Sequence, residues 1–320
     1  MTTMPYFWLA TLAQHGHLGV YLFFMISGFV ILMTARDDLP AFLISRASRL
    51  YPAFWACCTL TFLAIVALGA PRFTASIWRY VANLSMLGEF IGVANIDGVY
   101  WSIFVEIRFY LLVAILIAFK QIKNIERFMW AWLGLVLLEA FWPTPVIQRI
   151  FITAHAPFFV AGAVFYGVFE HGWKLGRAAM LGVCLALSTH HVLAGLDGFN
   201  TYYNTFESPW ITAGMILAFY ALMTAVSMRK TGWVGRQNWT TLGALTYPLY
   251  LLHQNVSYIL FNHLYPALNP HLVFWSVFFS MLLMAHLIHI GVERPLGQLI
   301  RNKAHEFLAK RRQMPAVQSH

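Results

Sequence analysis

The sequence predicts an all-α protein: a polytopic transmembrane helical bundle with about nine spans and one further helix in the membrane interface. Composition is the first reason, because 60% of the 320 residues are hydrophobic and only 10% are charged, whereas soluble globular proteins carry about 25% charged residues. The second reason is the recurrence of apolar runs close to bilayer length, about 17–25 residues. Such a chain cannot cover itself with polar surface, so the lipid bilayer is expected to be a main partner.

About nine apolar runs approach the length of a bilayer crossing. They are Leu18–Thr34, Tyr51–Ala70, Tyr100–Phe119, Met129–Trp142, Ile150–Phe169, Ala178–Leu193, Pro209–Ser227, Gly243–Phe261 and His271–Val292. The segment Ile77–Ile91 differs from these, because Trp78 and Arg79 mix with its apolar residues. We expect this segment to be an amphipathic helix lying in the interface.

The distribution of basic residues supports this map and predicts an orientation. Of the 21 Lys and Arg residues, Arg72, Arg79 and Arg149 fall in links assigned to the outside and Arg108 falls within a span, which leaves 17 for the inside links and the C-terminal segment. Cytoplasmic loops carry such an excess of Lys and Arg, so we expect a cytoplasmic C-terminus. The same rule accounts for the net charge of +9. No basic face with interleaved aromatics lies outside the spans, so nucleic-acid binding is not expected.

Three regions follow from these patterns. Residues 1–17 are predicted to be a short outer leader, residues 18–293 the transmembrane domain, and residues 294–320 a basic cytoplasmic tail that is attracted to anionic lipid.

Arg46 and Arg49 are candidate anion-binding residues in the polar link between the first two spans. Arginine stays charged and can bind a phosphate group through two parallel hydrogen bonds. The two residues share a face if the link is helical, because they are three positions apart. Tyr51 belongs to the same Arg-Leu-Tyr-Pro element and is a further candidate. The alternative is a positively charged anchor of the kind that cytoplasmic loops carry.

Ionisable side chains inside spans are costly and are therefore functional candidates. Glu106 lies within a span, and Tyr110, four residues on, shares its helical face. His253 recurs at helical spacing with two tyrosines, and an imidazole suits general-base catalysis. His155 lies in the outer half of another span. For each of the three, a structural role is the alternative. His286 and His289 lack a partner carboxylate or cysteine at ligand spacing, so no metal site is predicted.

The chain resembles the acyltransferase 3 family of integral membrane acyltransferases in five pieces that occur in family order. The pieces are GHLGVYLFFMISGF (Gly16–Phe29), R-x-x-R-L-Y-P (Arg46–Pro52), DGVYWSIFVEIRFYLL (Asp97–Leu112), LGALTYPLYLLH (Leu242–His253) and VERPLG (Val292–Gly297). The resemblance implies a bacterial inner-membrane enzyme with about ten helices. It would transfer an acyl group, usually acetyl, from cytoplasmic acyl-CoA to a hydroxyl of a sugar or another cell-envelope molecule. The arginine pair of the family is associated with the acyl donor.

The sequence departs from the family pattern at its N-terminus. The family usually opens with a helix that carries an L-D-x-L-R-G-like start and a histidine proposed to be catalytic, and here only a short leader precedes the second family helix. His15 and His17 do not stand in the matching position. We therefore expect the usual first helix to be missing from this sequence, with His253 or His155 as the base and Glu106 as the residue that orients it. Two alternatives stay open: a transporter of a lipid-linked sugar or small solute, and a catalytically inactive family member.

Overall fold

The structure is a computed structural model that describes residues 13–232, 234–265 and 267–313. These residues form helices and connecting turns without a β-strand, which confirms the all-α prediction. The helices are α1 (Gly19–Thr34), α2 (Leu39–Leu68), α3 (Ile77–Leu84), α4 (Tyr100–Ala118), α5 (Ile125–Phe141), α6 (Pro145–Phe151), α7 (Ala156–His171), α8 (Leu175–Tyr203), α9 (Pro209–Ser227), α10 (Thr240–Leu252), α11 (Asn255–Leu264), α12 (Pro270–Ile288) and α13 (Arg294–Gln313). The predicted outer leader falls mostly on residues 1–12, outside the described residues.

Seven helical stretches in the described part of the chain are long and apolar enough to cross a membrane. They are Gln14–Thr34, Leu39–Leu68, Tyr100–Ala118, Pro145–His171, Leu175–Tyr203, Pro209–Ser227 and Pro270–Lys310. The polytopic class is confirmed, but the number of spans by this measure is smaller than the nine predicted. Met129–Trp142 corresponds to α5, which has 17 residues and falls just short of the length required.

The predicted span Gly243–Phe261 is wrong as a single helix. The chain forms α10 and then α11, with a break at His253 and Gln254. Asp97 explains the break, because its carboxylate accepts the Asn255 backbone N–H at 3.1 Å and so caps the start of α11. A carboxylate is favourable at the positive end of a helix dipole. The apolar pattern of the span could not reveal a cap supplied by a residue so far away in the sequence.

Two further boundaries differ from the predictions. The link that carries Arg46 and Arg49 is not a loop, since α2 begins at Leu39 and includes both residues. Its Pro40 sits in the first helical turn, where a missing N–H costs little. The predicted interfacial helix is shorter than Ile77–Ile91: α3 ends at Leu84, and a 3₁₀ turn covers Gly88–Ile91.

The segment predicted as a basic tail is helical over its described length. Helix α13 continues α12 through a π-helical turn, His289–Glu293, so that one stretch runs from Pro270 past Lys310. The Lys- and Arg-rich sequence alone gave no sign of this continuity.

The chain divides into two compact units. The first combines the described part of Met1–Asp38 with Val105–Gln237, and the second combines Leu39–Phe104 with the described part of Asn238–His320. Helix α4 begins in the second unit and continues in the first.

Within the first unit, α1 and α7 approach each other through glycines. A Cβ atom on Gly28 would overlap the carbonyl oxygen of Phe159, and one on Gly162 would overlap the carbonyl oxygen of Met25. Small residues allow such close contact between membrane helices, where packing rather than hydrophobicity drives association.

Gly162→Ala is expected to destabilise the protein by about 1–3 kcal/mol, because the new methyl group forces α1 and α7 apart. The measurement is the thermal midpoint in detergent, followed by tryptophan fluorescence. Gly182→Ala is the control, since nothing lies within 4 Å of its Cβ position. There alanine should be neutral or raise stability by up to about 1 kcal/mol. Equal midpoints for both variants would contradict the close-packing explanation.

Candidate functional site

A pocket of about 540 Å³ lies entirely within the second unit. Its size is typical of sites for small molecules and cofactors, about 300–1,000 Å³. The lining comes from α2, α10, the π-helical turn and α13. The lining residues are Ser45, Arg46, Ser48, Arg49, Thr240, Gly243, Ala244, Tyr247, His289, Glu293, Arg294, Gly297, Gln298 and Arg301.

Four guanidinium groups surround this pocket, against a single carboxylate from Glu293. Arg46 and Arg49 come from α2, and Arg294 and Arg301 come from α13. Arg46 is held in place, because its Nη2 donates to Ser45 Oγ at 2.9 Å and its guanidinium lies 5.9 Å from the Phe42 ring centre. A concave surface lined by one sign of charge concentrates ligands of the opposite sign. The pocket is therefore suited to a ligand with several negative charges.

The arginines converge because α2 and α13 meet closely at one point. Pro52 lies inside α2 and has no N–H to donate to the carbonyl of Ser48, four residues earlier. Gly297 of α13 packs against that carbonyl, where a Cβ atom would lie only 2.8 Å from the oxygen. Arg294 and Arg301 flank Gly297 at helical spacing, so they share its face. This contact turns the basic face of α13 towards Arg46 and Arg49.

The π-helical turn contributes a paired histidine and carboxylate to the pocket. His289 Nδ1 lies 2.8 Å from Glu293 Oε2. The prediction that His289 lacks a partner carboxylate is therefore wrong, because Glu293 lies four residues further along the helix. Such widened turns occur frequently at functional sites.

Glu106 lies in the first unit and is buried, with 4% exposure. Ser27 Oγ donates to its Oε1 at 2.7 Å, and the Tyr110 hydroxyl donates to the same oxygen. The expectation that Tyr110 shares the face of Glu106 is confirmed. A buried carboxylate needs such donors, because it loses its hydration.

His155 is the residue just before α7, also in the first unit, and is half-buried beside aromatic rings. Its ring centre lies 5.3 Å from that of Phe24 and 6.3 Å from that of Tyr21. It interacts electrostatically with His191 and Arg108. His155 thus belongs to a polar group inside apolar helices, and its catalytic role stays a prediction.

His253 and Tyr51 both belong to the second unit, outside the lining of the arginine pocket. His253 is exposed at the end of α10, and its Nδ1 lies 2.8 Å from the backbone oxygen of Tyr250. The Tyr51 hydroxyl donates to the backbone oxygen of Ser85 at 3.0 Å. The two arginines of the predicted set are therefore together in the pocket, while Tyr51 is not in its wall. The base role of His253 stays a prediction.

Two of the four pocket arginines, Arg294 and Arg301, are not predicted as site residues by the sequence pattern. Their basic surroundings predict a tail, although Arg294 belongs to the family-like piece VERPLG. The usable signal was the spacing of Arg294, Gly297 and Arg301, which places a small residue between two cations on one helical face.

A family model described as an acyltransferase domain matches residues 2–290. The chain belongs to this acyltransferase family, acyltransferase 3. The family was identified correctly from the five sequence pieces, and the match covers most of the chain.

The curated relatives of this family member are distant. The O-acetyltransferase OatA of Staphylococcus aureus (strain NCTC 8325 / PS 47) is 24% identical in an alignment that covers 93% of this chain and 55% of the relative. The chain thus spans about half the length of OatA. The putative acetyltransferase ORF330 of Acidianus two-tailed virus is 20% identical over 250 residues, which cover 74% of this chain and 72% of the relative. No solved structure gives a significant match.

Gly297→Ala is expected to open the contact between α2 and α13 and to lower the thermal midpoint, with a cost of about 1–3 kcal/mol. The added methyl group would lie against the Ser48 carbonyl oxygen. Gly291→Ala is the matched control, because it lies on the same continuous helical stretch and has nothing within 4 Å of its Cβ position. If Gly297→Ala unfolds no earlier than Gly291→Ala, the contact does not hold the two helices together.

Asp97 should give the protein a pH-dependent stability. Burial raises the pKa of its carboxyl from 3.8 to about 6, although backbone N–H donors such as those of Val99 and Asn255 oppose the shift. The folded state therefore favours the protonated carboxyl. Between about pH 4 and about pH 7 the free energy of unfolding should fall by up to roughly 3 kcal/mol from this group.

The measurement is the thermal midpoint in detergent across this pH range. Asp97→Asn should flatten the dependence, because an amide does not titrate. Asp197→Asn changes an exposed aspartate and should keep the slope of the unmodified protein. The same slope in all three proteins would refute the role of Asp97.

Proposed function

We propose that this chain is a membrane O-acyltransferase that takes an acyl group, in the simplest case acetyl, from cytoplasmic acyl-CoA and transfers it to a hydroxyl of a cell-envelope sugar or glycan. Membership of the acyltransferase family supports the reaction type. OatA is named as an O-acetyltransferase, which supports acetyl as the group and oxygen as the acceptor atom. A bacterial inner-membrane location with a cytoplasmic C-terminus fits the distribution of Lys and Arg.

The arginine pocket is the observation that supports acyl-CoA as the acyl donor. Coenzyme A bears a diphosphate and a separate 3′-phosphate, so it needs several cationic groups at more than one point. The four guanidiniums come from two helices and line one concave surface. Arginine binds phosphate more specifically than lysine does, because its planar group offers two parallel donors. Acyl-CoA is here a substrate, and no metal is part of the proposal.

The proposed chemistry is acyl transfer to an alcohol. The acceptor oxygen attacks the thioester carbonyl carbon, the C–S bond breaks, and the hydroxyl proton passes through a base to the departing thiolate. His155 and His253 are the candidate bases from the sequence. Glu106 is the candidate that orients a base or the acceptor, and Ser27 and Tyr110 fix its carboxylate.

One feature of the second unit also fits the transporter alternative. Transporters use interrupted helices whose free ends bind substrates, and α10 and α11 form such an interruption. Here the carboxylate of Asp97 already caps the first N–H of α11, which makes this end unfavourable for an anionic solute. Acyl-CoA-dependent modification of envelope material, detected as an acetyl mass increment, distinguishes the enzyme from a transporter that only moves solute.

Arg46→Ala combined with Arg49→Ala is expected to weaken acetyl-CoA binding by at least about a hundredfold, since each of the two lost charged hydrogen bonds costs about 1.5–3 kcal/mol. Arg301→Ala should act in the same direction. Binding is measured by isothermal titration of the purified protein with acetyl-CoA. Replacement of Arg46 and Arg49 by lysine should restore only part of the affinity, because lysine lacks the two-donor geometry.

Lys303→Ala is the matched control. Lys303 is exposed and lies two residues beyond Arg301 on α13, but it does not line the pocket. Its removal changes the net charge by one unit, as Arg301→Ala does, and should leave binding close to that of the unmodified protein. If the double arginine variant bound acetyl-CoA as tightly as the unmodified protein, the pocket would not be the binding site of the acyl donor.

A further inference from the structure

A second candidate site lies in the first unit, around a histidine and a buried glutamate. His17 Nδ1 and Glu207 Oε1 are 3.4 Å apart. The Glu207 side chain is fully buried, whereas the His17 side chain keeps 30% of its surface exposed. Neither carboxylate oxygen of Glu207 has a hydrogen-bond donor in the described part of the chain. A carboxylate in this setting is costly unless a positive charge compensates it.

The contacts of His17 determine which ring nitrogen carries the proton. Nδ1 lies 3.1 Å from the backbone oxygen of Gln14 as well as near Glu207. Both neighbours are acceptors, so Nδ1 must be the N–H donor. The neutral ring then has its lone pair on Nε2. The Gln14 carbonyl holds His17 in this tautomer, and the buried carboxylate of Glu207 lies beside Nδ1. The free Nε2 lone pair is therefore poised to accept a proton from a hydroxyl group.

Helix α8 holds both members of the pair through two consecutive residues. Phe199 stacks on the His17 ring, with the ring centres 4.0 Å apart and an interplanar angle of 18°. Asn200 fixes the backbone of Glu207, since its Oδ1 accepts the Glu207 N–H at 2.9 Å and its amide donates to the Glu207 backbone oxygen at 3.4 Å. The geometry of the pair is thus set before any ligand arrives, which is what efficient proton transfer requires.

We propose that His17 is the general base towards the acceptor hydroxyl and that Glu207 is its positioning residue; this assignment rests on the proposed acyl transfer. Nε2 takes the hydroxyl proton as the acceptor oxygen forms its bond to the thioester carbonyl carbon. The C–S bond then breaks, and the imidazolium returns the proton to the thiolate. The products are the ester and free CoA thiol. Glu207 stabilises the imidazolium while it exists.

The test uses the full chain in membrane vesicles and measures transfer of radioactive acetyl from acetyl-CoA to base-labile esters, with vesicles from cells lacking the chain as the blank. His17→Gln should lower kcat by about 10²–10⁴-fold and leave KM for acetyl-CoA unchanged. Glu207→Gln should lower kcat less and also leave KM unchanged, and Glu207→Asp should recover part of the loss. His190→Gln is the matched control, because His190 is an exposed histidine in the same unit.

A second readout does not depend on activity. Nitrogen-15 NMR of histidine-labelled protein should show the Nδ1–H tautomer at His17, and Glu207→Gln should weaken that preference. An Nε2–H tautomer in the unmodified protein, or transfer by His17→Gln equal to that of His190→Gln, would overturn the assignment of His17. The unmodified protein binding acetyl-CoA without transferring acetyl would instead overturn the proposed function and, with it, this base.

Discussion

The candidate donor site depends on one contact between backbones. Pro52 leaves the Ser48 carbonyl without its helical partner, and Gly297 packs against that carbonyl because it has no side chain. The four arginines are brought together by this contact, not by attraction among themselves, since like charges repel. The proline and the glycine are therefore as important to the pocket as the cations. Each belongs to a sequence piece, R-L-Y-P or VERPLG, whose charged members are easier to notice.

Two buried glutamates of the first unit, Glu106 and Glu207, have different kinds of partner. Glu106 is stabilised by two hydroxyl donors, whereas Glu207 faces an imidazole. The difference has a chemical meaning. Hydroxyl donors stabilise a carboxylate permanently, while a histidine can alternate between neutral and charged forms and so give the buried charge a role during proton transfer.

Features set by local sequence were predictable, and features set by distant residues were not. Apolar runs and low charge content were enough for the all-α membrane class, and the three-residue spacing of Arg46 and Arg49 correctly placed them on one face once the segment proved helical. The break before Asn255 could not be foreseen, because Asp97, far away in the sequence, provides the cap. Arg301 was missed for a similar reason: its basic surroundings predict a solvated tail, and only packing against α2 gives it a partner surface.

The π-helical turn at His289–Glu293 has a geometric consequence for the long stretch Pro270–Lys310, which would extend about 60 Å. A turn of this kind holds one residue more than an ordinary helical turn, so every side chain beyond it is rotated by roughly 100° relative to an uninterrupted helix. The extra residue of the π-helical turn thus determines the direction in which the guanidinium groups of α13 point. Deleting one residue from the π-helical turn would rotate the α13 guanidinium groups about a quarter of a revolution out of the pocket, although none of the arginines would be changed.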